Sequence, residues 1–299
     1  MKAVSFVLDI SWPAKYTPRI MMVVRTAFPN PALREFVRVF AQREVHPFTS
    51  GVAAVFEPVP ARLEQMLEFE LGAPFVVHHA AGHNEWTPGQ AVIGAQVKGC
   101  ARIELMPGVI SFAIFFRPTG LSRLFCVPVR ELSNQDYDAA LIWKLAVPLK
   151  DRIAECVTFE DRVHTVEEIL LGMAPRVPSK ERMVAIAEHV FSLRGVVGVS
   201  QLANAAGMGI RHFEREFLGE VGIPPKLYAR VARFQSALDA KIASPCRGWL
   251  EIAHSLHYHD QRHMIRDFQL LGGDAPQRLL AYIGNARPGA LLPESTPKK

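Results

Sequence analysis

Cysteine is scarce in this chain. Only Cys100, Cys126, Cys156 and Cys246 occur in 299 residues, and no two of them form a CxxC pair. Neither a zinc ribbon nor a disulfide framework is implied. Long apolar runs are also missing, since nothing approaches the roughly 20 residues of a membrane-spanning helix. The opening MKAVSFVLDISWPAKYTP has one early lysine and a brief apolar stretch broken by Asp9, Trp12 and Pro13. That is a poor secretion signal, and the expected location is the cytoplasm, away from any membrane. G-x-S-x-G, the phosphate-binding loop and the dinucleotide fingerprint are absent, as is any repeat of solenoid period. The expectation is therefore a protein that is not an enzyme, with no cofactor.

What is present is a globular composition, 49% hydrophobic and 21% charged, long enough for two domains with a core each. Charge is unevenly spread. Residues 180–299 hold 16 basic and 11 acidic side chains, which is the whole net charge of +5. Six of the 11 histidines lie there too. A polyanionic partner for the C-terminal part is compatible with that small excess.

The texture changes near residue 135. Before it, FVVHHAAG, QAVIGAQVKGCARIEL and GVISFAIFF are short β-branched and aromatic runs punctuated by Pro and Gly, the pattern of an antiparallel sheet or small barrel. One helix is expected among them in PNPALREFVRVFAQREV, where Leu33, Phe36, Val37 and Phe40 share a face. After it the pattern is helical. We read a β-rich domain over 1–135, a helical connector and linker over 136–178, an all-helical domain over 179–283 and a flexible tail over 284–299. The boundary falls in APRVPS, with two prolines in six residues. Ser179 is the expected cap of the next helix, with Arg182 where a capping box would place Glu. The connector reads equally as a dimerisation or relay element and as a helix pair packed on the β-rich part.

Two C-terminal segments resemble each other: VSQLANAAGMGIRHFEREFLGEVGIPPKLY (Val199–Tyr228) and WLEIAHSLHYHDQRHMIRDFQLLGGDAPQRLL (Trp249–Leu280). With Ala203 on Ala253, each is a short helix with a small-residue face, a tight turn, and a second helix whose apolar positions stand four apart. That is the layout of helix-turn-helix. Phe213 and Phe217 point inward on the first second helix, which leaves Arg211, His212, Glu214 and Arg215 outside. Met264 and Phe268 do so on the other, leaving Gln261, Arg262, His263 and Arg266 outside. Arg and Gln carry the forked donors and acceptors that match base edges in the major groove. For Arg215 a surface pair with Glu214 or Glu220 is the competing reading.

The crowd of His257, His259 and His263 could also suggest a metal. However, His257 and His259 sit in the turn while His263 is a helical turn away, and no cysteine joins them. Two polar helix faces in matched frames favour a pair of recognition helices.

The run LANAAGMGIRHFEREFLGEVGIPPKLYARVARFQSAL followed by IAHSLHYHDQRHMIRDFQLLGGDAP resembles the AraC/XylS family of bacterial transcription regulators. The shared features are the GM turn, R-x-x-x-R-x-F, G-x-x-P-x-x-Y and R-F-x-x-A-L, in order. The resemblance covers about 100 residues, 180–282. It implies an α+β chain of two domains, in which a β-rich, cupin-like N-terminal domain precedes an all-α double helix-turn-helix domain. A long helix, here Pro225 to Ala243, would hold the motifs in successive major grooves of double-stranded DNA. By position, the base-contacting places fall on Arg211, Glu214, Arg215, Gln261, Arg262, His263 and Arg266. Helix starts near Ser200 and Pro225 would meet phosphates. RNA polymerase, a small-molecule effector and a homodimer are further partners the resemblance implies. The sequence departs from the family at Gly209, where a capping Ser is usual, at His257, where the turn usually has Gly, and at Met264, where Phe is usual.

The N-terminal half is less informative. FFRPTGLSRLFCVPVRELSNQDYDA resembles a motif of one subgroup of that family. In VVHHAAGHNEW, His78, His79, His83 and Glu85 stand close, but His78 and His79 face opposite ways on a strand. No metal site is expected there. Pro245-Cys246-Arg247 echoes the reactive cysteine of certain alkyltransferases but lacks their His. Two other readings stand beside a DNA-binding regulator: a cupin-like metal enzyme with a helical appendage, and an interaction protein that has lost DNA binding.

Overall fold

The computed structural model describes residues 4–10, 20–46, 54–79, 82–174 and 181–283. Ser179, most of the APRVPS linker and the 284–299 tail lie outside the described residues. Its strands are β1 (Val4–Ile10), β2 (Ile20–Ala27), β3 (Val37–Val45), β4 (Val55–Val59), β5 (Met66–Glu70), β6 (Val76–His78), β7 (Asn84–Trp86), β8 (Gln90–Ile93), β9 (Ala101–Leu105), β10 (Ile110–Phe116) and β11 (Asp136–Asp138). They form a seven-stranded sheet in the order β1-β2-β3-β10-β5-β8-β11 and a four-stranded sheet in the order β4-β9-β6-β7. Every pairing is antiparallel.

Strand alternation sorts the side chains of the large sheet. Phe112 stands opposite Gln42 and Phe69, and Ile114 opposite Phe40 and Leu67, on one face. That face packs on helices α3 (Ala146–Glu155) and α4 (Phe159–Met173), through Leu149, Ile153, Phe159, Val163 and Leu170. Two shorter helices, α1 (Gly120–Phe125) and α2 (Val129–Leu132), precede them. Val39, Ala41, Met66, Ala113 and Phe115 cluster on the other face. Beside them Met22, Val24 and Val45 pack with Ile103 and Leu105 of the small sheet.

Two readings of the sequence differ from this. PNPALREFVRVFAQREV holds one 3-10 turn, Pro31–Leu33, and then strand β3, not a helix. Both faces of β3 are covered, so its apolar residues do not alternate and imitate a helical stripe. The stretch from Asp136 opens with β11, the edge strand of the large sheet, before helices begin.

The C-terminal part is all helix: α5 (Glu181–Ser192), α6 (Val199–Ala205), α7 (Ile210–Val221), α8 (Pro225–Ala243), α9 (Trp249–Ser255), α10 (Gln261–Gly272) and α11 (Pro276–Ile283). Its core gathers Phe213, Phe217, Tyr228, Phe234, Met264 and Phe268. Ala61, Leu63, Ala95 and Val97 of the N-terminal half belong to the same cluster. The helical domain is therefore completed by apolar side chains of the β-rich one.

Candidate nucleic-acid interface

The two helix-turn-helix units are built alike. In the first, Met208 N–H donates to Ala203 O and Gly207 N–H to Asn204 O, each at 2.9 Å. In the second, Tyr258 N–H donates to Ala253 O (3.0 Å) and His257 N–H to His254 O (3.1 Å). These are the paired bonds that end a helix on a left-handed residue. That residue is Gly207 at φ 64° in one motif and His257 at φ 53° in the other. Histidine thus adopts the glycine conformation, and the second turn closes as the first does.

Helices α7 and α10 follow these turns. Phe213 and Phe217 on α7, and Met264 and Phe268 on α10, are wholly buried. Arg211, His212, Glu214 and Arg215 are exposed on α7; Arg262, His263 and Arg266 are exposed on α10, with Gln261 half-buried beside them. Met264 fills the place of the family's Phe without leaving the core. The side chains of Arg211, Arg262 and Arg266 make no hydrogen bond or ion pair among the described residues. Arg215 instead reaches back to His212 Nδ1 (2.7 Å) and lies 3.8 Å from Glu216, rather than pairing with Glu214 or Glu220. His263 rests edge-on against the buried Tyr258 ring, with centroids 5.6 Å apart.

The starts of the two helices differ. Gly209 caps α7 without a side-chain bond. Asp260 caps α10, accepting from His263 N–H at 2.7 Å, and that bond holds its carboxyl below the usual range. The remaining helix starts fall where the spacing put them: Gly198 precedes α6, and α8 begins on Pro225, whose missing N–H is no loss there.

Helix α8 fixes the two units to each other. Arg230 on α8 donates from Nε to Asp267 Oδ1 on α10 at 2.7 Å, and its Nη2 forms an ion pair with the same oxygen at 2.6 Å. Asp267 is 1% exposed, and it accounts in part, after burial itself, for the raised hydroxyl pKa of Tyr258. Sequence spacing placed Asp267 next to the core residue Phe268 without showing it as buried. Only a partner 37 residues away explains a charge there.

The far ends of both recognition helices meet the β-rich half. The last carbonyls of a helix lack partners within it. At α7, Gln65 Nε2 donates to Val221 O (2.9 Å) and Ser133 Oγ to Gly222 O (2.7 Å). At α10, Gly99 N–H donates to Leu270 O (3.1 Å) and Ala61 N–H to Leu271 O (2.7 Å). The approach is close: a Cβ on Gly222 would stand 2.7 Å from Val129 O, and one on Gly273 2.9 Å from Cys100 Cβ. Both glycines are left-handed, at φ 89° and 77°. No pattern in the sequence marks these contacts, because they join residues far apart in the chain, from 89 positions for Ser133 and Gly222 to 156 for Gln65 and Val221 and beyond.

Residues 202–281 match a protein-family model described as a helix-turn-helix domain. No curated protein matches the chain in sequence. Among solved structures, ToxT from Vibrio cholerae aligns at 10% identity over 89% of this chain and 99% of its own, with a TM-score of 0.44. ToxT of the same organism bound to an unsaturated fatty acid aligns at 9% identity over 88% and 95%, with a TM-score of 0.40. The AraC-like transcriptional activator CuxR aligns at 11% identity over 79% and 86%, with a TM-score of 0.33. The C-terminal part of this chain is a helix-turn-helix domain, and it follows a β-rich domain.

Proposed function

From a C-terminal domain of that type, we propose that the chain is a sequence-specific regulator of transcription that acts in the cytoplasm by binding rather than by catalysis. One observation carries the reading. Arg211 on α7, and Arg262 and Arg266 on α10, stand exposed without internal partners on the outward faces of two matched helices. Guanidinium groups held free in this way suit the O6 and N7 acceptors of guanine. Glu214, Arg215, Gln261 and His263 flank them as further base or phosphate contacts. With α8 holding the pair, the two helices enter successive major grooves of double-stranded DNA.

The β-rich domain is the sensor in this reading. Between its sheets lie buried polar groups, of which Arg43 Nε, Arg62 Nε and Glu70 Oε2 have no partner among the described residues. That chemistry suits a small polar effector. Because donors from this domain end both recognition helices, a shift between the sheets reaches both reading heads at once. RNA polymerase and a second copy of the chain complete the set of partners.

The test is protection of DNA upstream of the chain's own and neighbouring genes, at two salt concentrations. The reading expects a protected site spanning two major-groove turns, with binding that falls steeply as salt rises. Binding no better than to random DNA, with or without extracted metabolites, would sink it.

A further inference from the structure

The β6–β7 hairpin gathers side chains that the DNA-binding reading leaves unused. His78 lies on its outer face, 2.8 Å from Glu104 and with its ring 5.4 Å from that of Phe56. His79, one residue on, faces the other way. The chain then turns back on itself: Gly82 N–H donates to His79 O (2.9 Å), and His79 N–H to His83 O (3.0 Å). Gly82 sits at φ 89°, which glycine adopts without strain. This turn lays the His83 imidazole over that of His79, with centroids 4.2 Å apart. Glu85 comes back along β7 and hydrogen-bonds His79. One nitrogen of each histidine and one oxygen of Glu85 lie within 4.8 Å of one another. Asp136, the first residue of β11, lies within electrostatic reach of all three.

We propose that His79, His83 and Glu85 form a three-ligand binding site for a divalent transition cation of the zinc class, with solvent completing the coordination. Two imidazoles and one carboxylate are a borderline donor set, and imidazole selects against magnesium and calcium. Zinc–nitrogen bonds of about 2.0–2.1 Å put tetrahedral ligands roughly 3.3 Å apart, so the present spread has to close by up to about 1.5 Å. The stacked rings now direct their lone pairs along parallel planes. Rotation of the exposed His83 about its side-chain bonds turns its nitrogen toward the other ligands. Among the described residues neither ring nitrogen of His83 makes a hydrogen bond that would hold the ring against this. The hairpin therefore brings together a site where strand alternation alone would separate two neighbouring histidines. The inference does not depend on whether the chain binds DNA.

The test uses the full chain without an affinity tag, stripped with chelator and titrated with zinc chloride in a metal-buffered solution. One zinc per chain at micromolar free metal is expected, and cobalt(II) in its place should give visible d–d absorption. His83→Ala and Glu85→Gln should each weaken zinc binding at least tenfold while leaving the circular dichroism spectrum unchanged. His259→Ala, in the C-terminal histidine group, should leave binding intact. Absence of stoichiometric zinc binding to the folded protein overturns the proposal. So does binding that survives both hairpin substitutions, or that is lost with His259→Ala.

Discussion

The side-chain amide of Gln65, just before β5, donates a 2.9 Å hydrogen bond to the carbonyl of Val221, the last residue of the first recognition helix. Gln65 is 2% exposed and Val221 equally buried. The bond therefore stands where water cannot replace it, and it closes a helix end that would otherwise leave a buried acceptor unmet. Replacing Gln65 by Leu keeps the volume and removes the donor. The loss expected is about 1 kcal/mol of stability, the low end of the penalty for an unsatisfied buried carbonyl, because the substitution also removes Gln65 Oε1, a buried acceptor with no partner among the described residues. Urea denaturation followed by tryptophan fluorescence measures it. An unchanged midpoint would show that the bond does not hold the two domains together.

The unpaired arginines make a second prediction. Arg211→Ala and Arg262→Ala should each reduce discrimination between the cognate site and random DNA by about 1–3 kcal/mol, the worth of one bidentate base contact. Arg215→Ala should do less, because His212 and Glu216 already engage that guanidinium. Competition binding of the three variants against operator and random duplexes gives the ranking. A larger effect at Arg215 than at Arg211 would mean that α7 enters the groove in a different rotation.

Why the C-terminal domain was legible and the other half less so follows from where the determining contacts lie. Helix-turn-helix rests on local spacing: Ala203, the turn at Gly207, then Phe213 and Phe217 all fall within fifteen residues. The span of α8, Pro225–Ala243, is announced by its own proline. Strand β3 was misread because burial on both faces erases the period-two signal that marks a strand. The hairpin cluster escaped for a different reason. The opposite facings of His78 and His79 were readable, but the return of His83 and Glu85 onto His79 depends on the turn at Gly82. Arg230 with Asp267, and Gln65 with Val221, are invisible to any local pattern.

A buried carboxyl predicts how stability changes with pH. Glu70, on β5, is pushed up to about 9, first by burial and then by the charge of Glu68, against the opposing pull of Arg43 and Lys150. In the unfolded chain it titrates near 4.5. Between these values the folded state holds a proton that the unfolded state has released, so stability falls as pH rises through that window. The limiting slope is about 1.4 kcal/mol per pH unit, and relaxation around the site will make it smaller. Glu70→Gln removes the titration. It should therefore be more stable than the parent at pH 8, with the advantage shrinking toward pH 5. Thermal melts of both proteins at the two values check this, and parallel curves would place the Glu70 proton outside the transition.

The last prediction concerns His257, where a side chain occupies a backbone conformation that favours glycine. Its φ of 53° matches the 64° of Gly207 in the first motif, and the hydrogen bonds around the two residues correspond one for one. A left-handed backbone costs an L-residue about 1–2 kcal/mol. Glycine would relieve that strain, yet the unfolded chain would gain freedom worth about 0.5–1 kcal/mol in the opposite sense. The net gain for His257→Gly should reach up to about 1 kcal/mol. The imidazole is exposed and makes no hydrogen bond through its ring among the described residues, so nothing else is removed. His257→Val is the opposing probe, because a β-branched residue tolerates the conformation poorly. It should destabilise by more than 1 kcal/mol, roughly the strain already present and a branching penalty added to it. If the second motif reads DNA as the first does, His257→Gly should keep or tighten operator binding, since it stiffens nothing in the groove and removes only strain. Loss of binding in a stable His257→Gly protein would instead give the imidazole a direct part in the complex, at the turn that leads into α10.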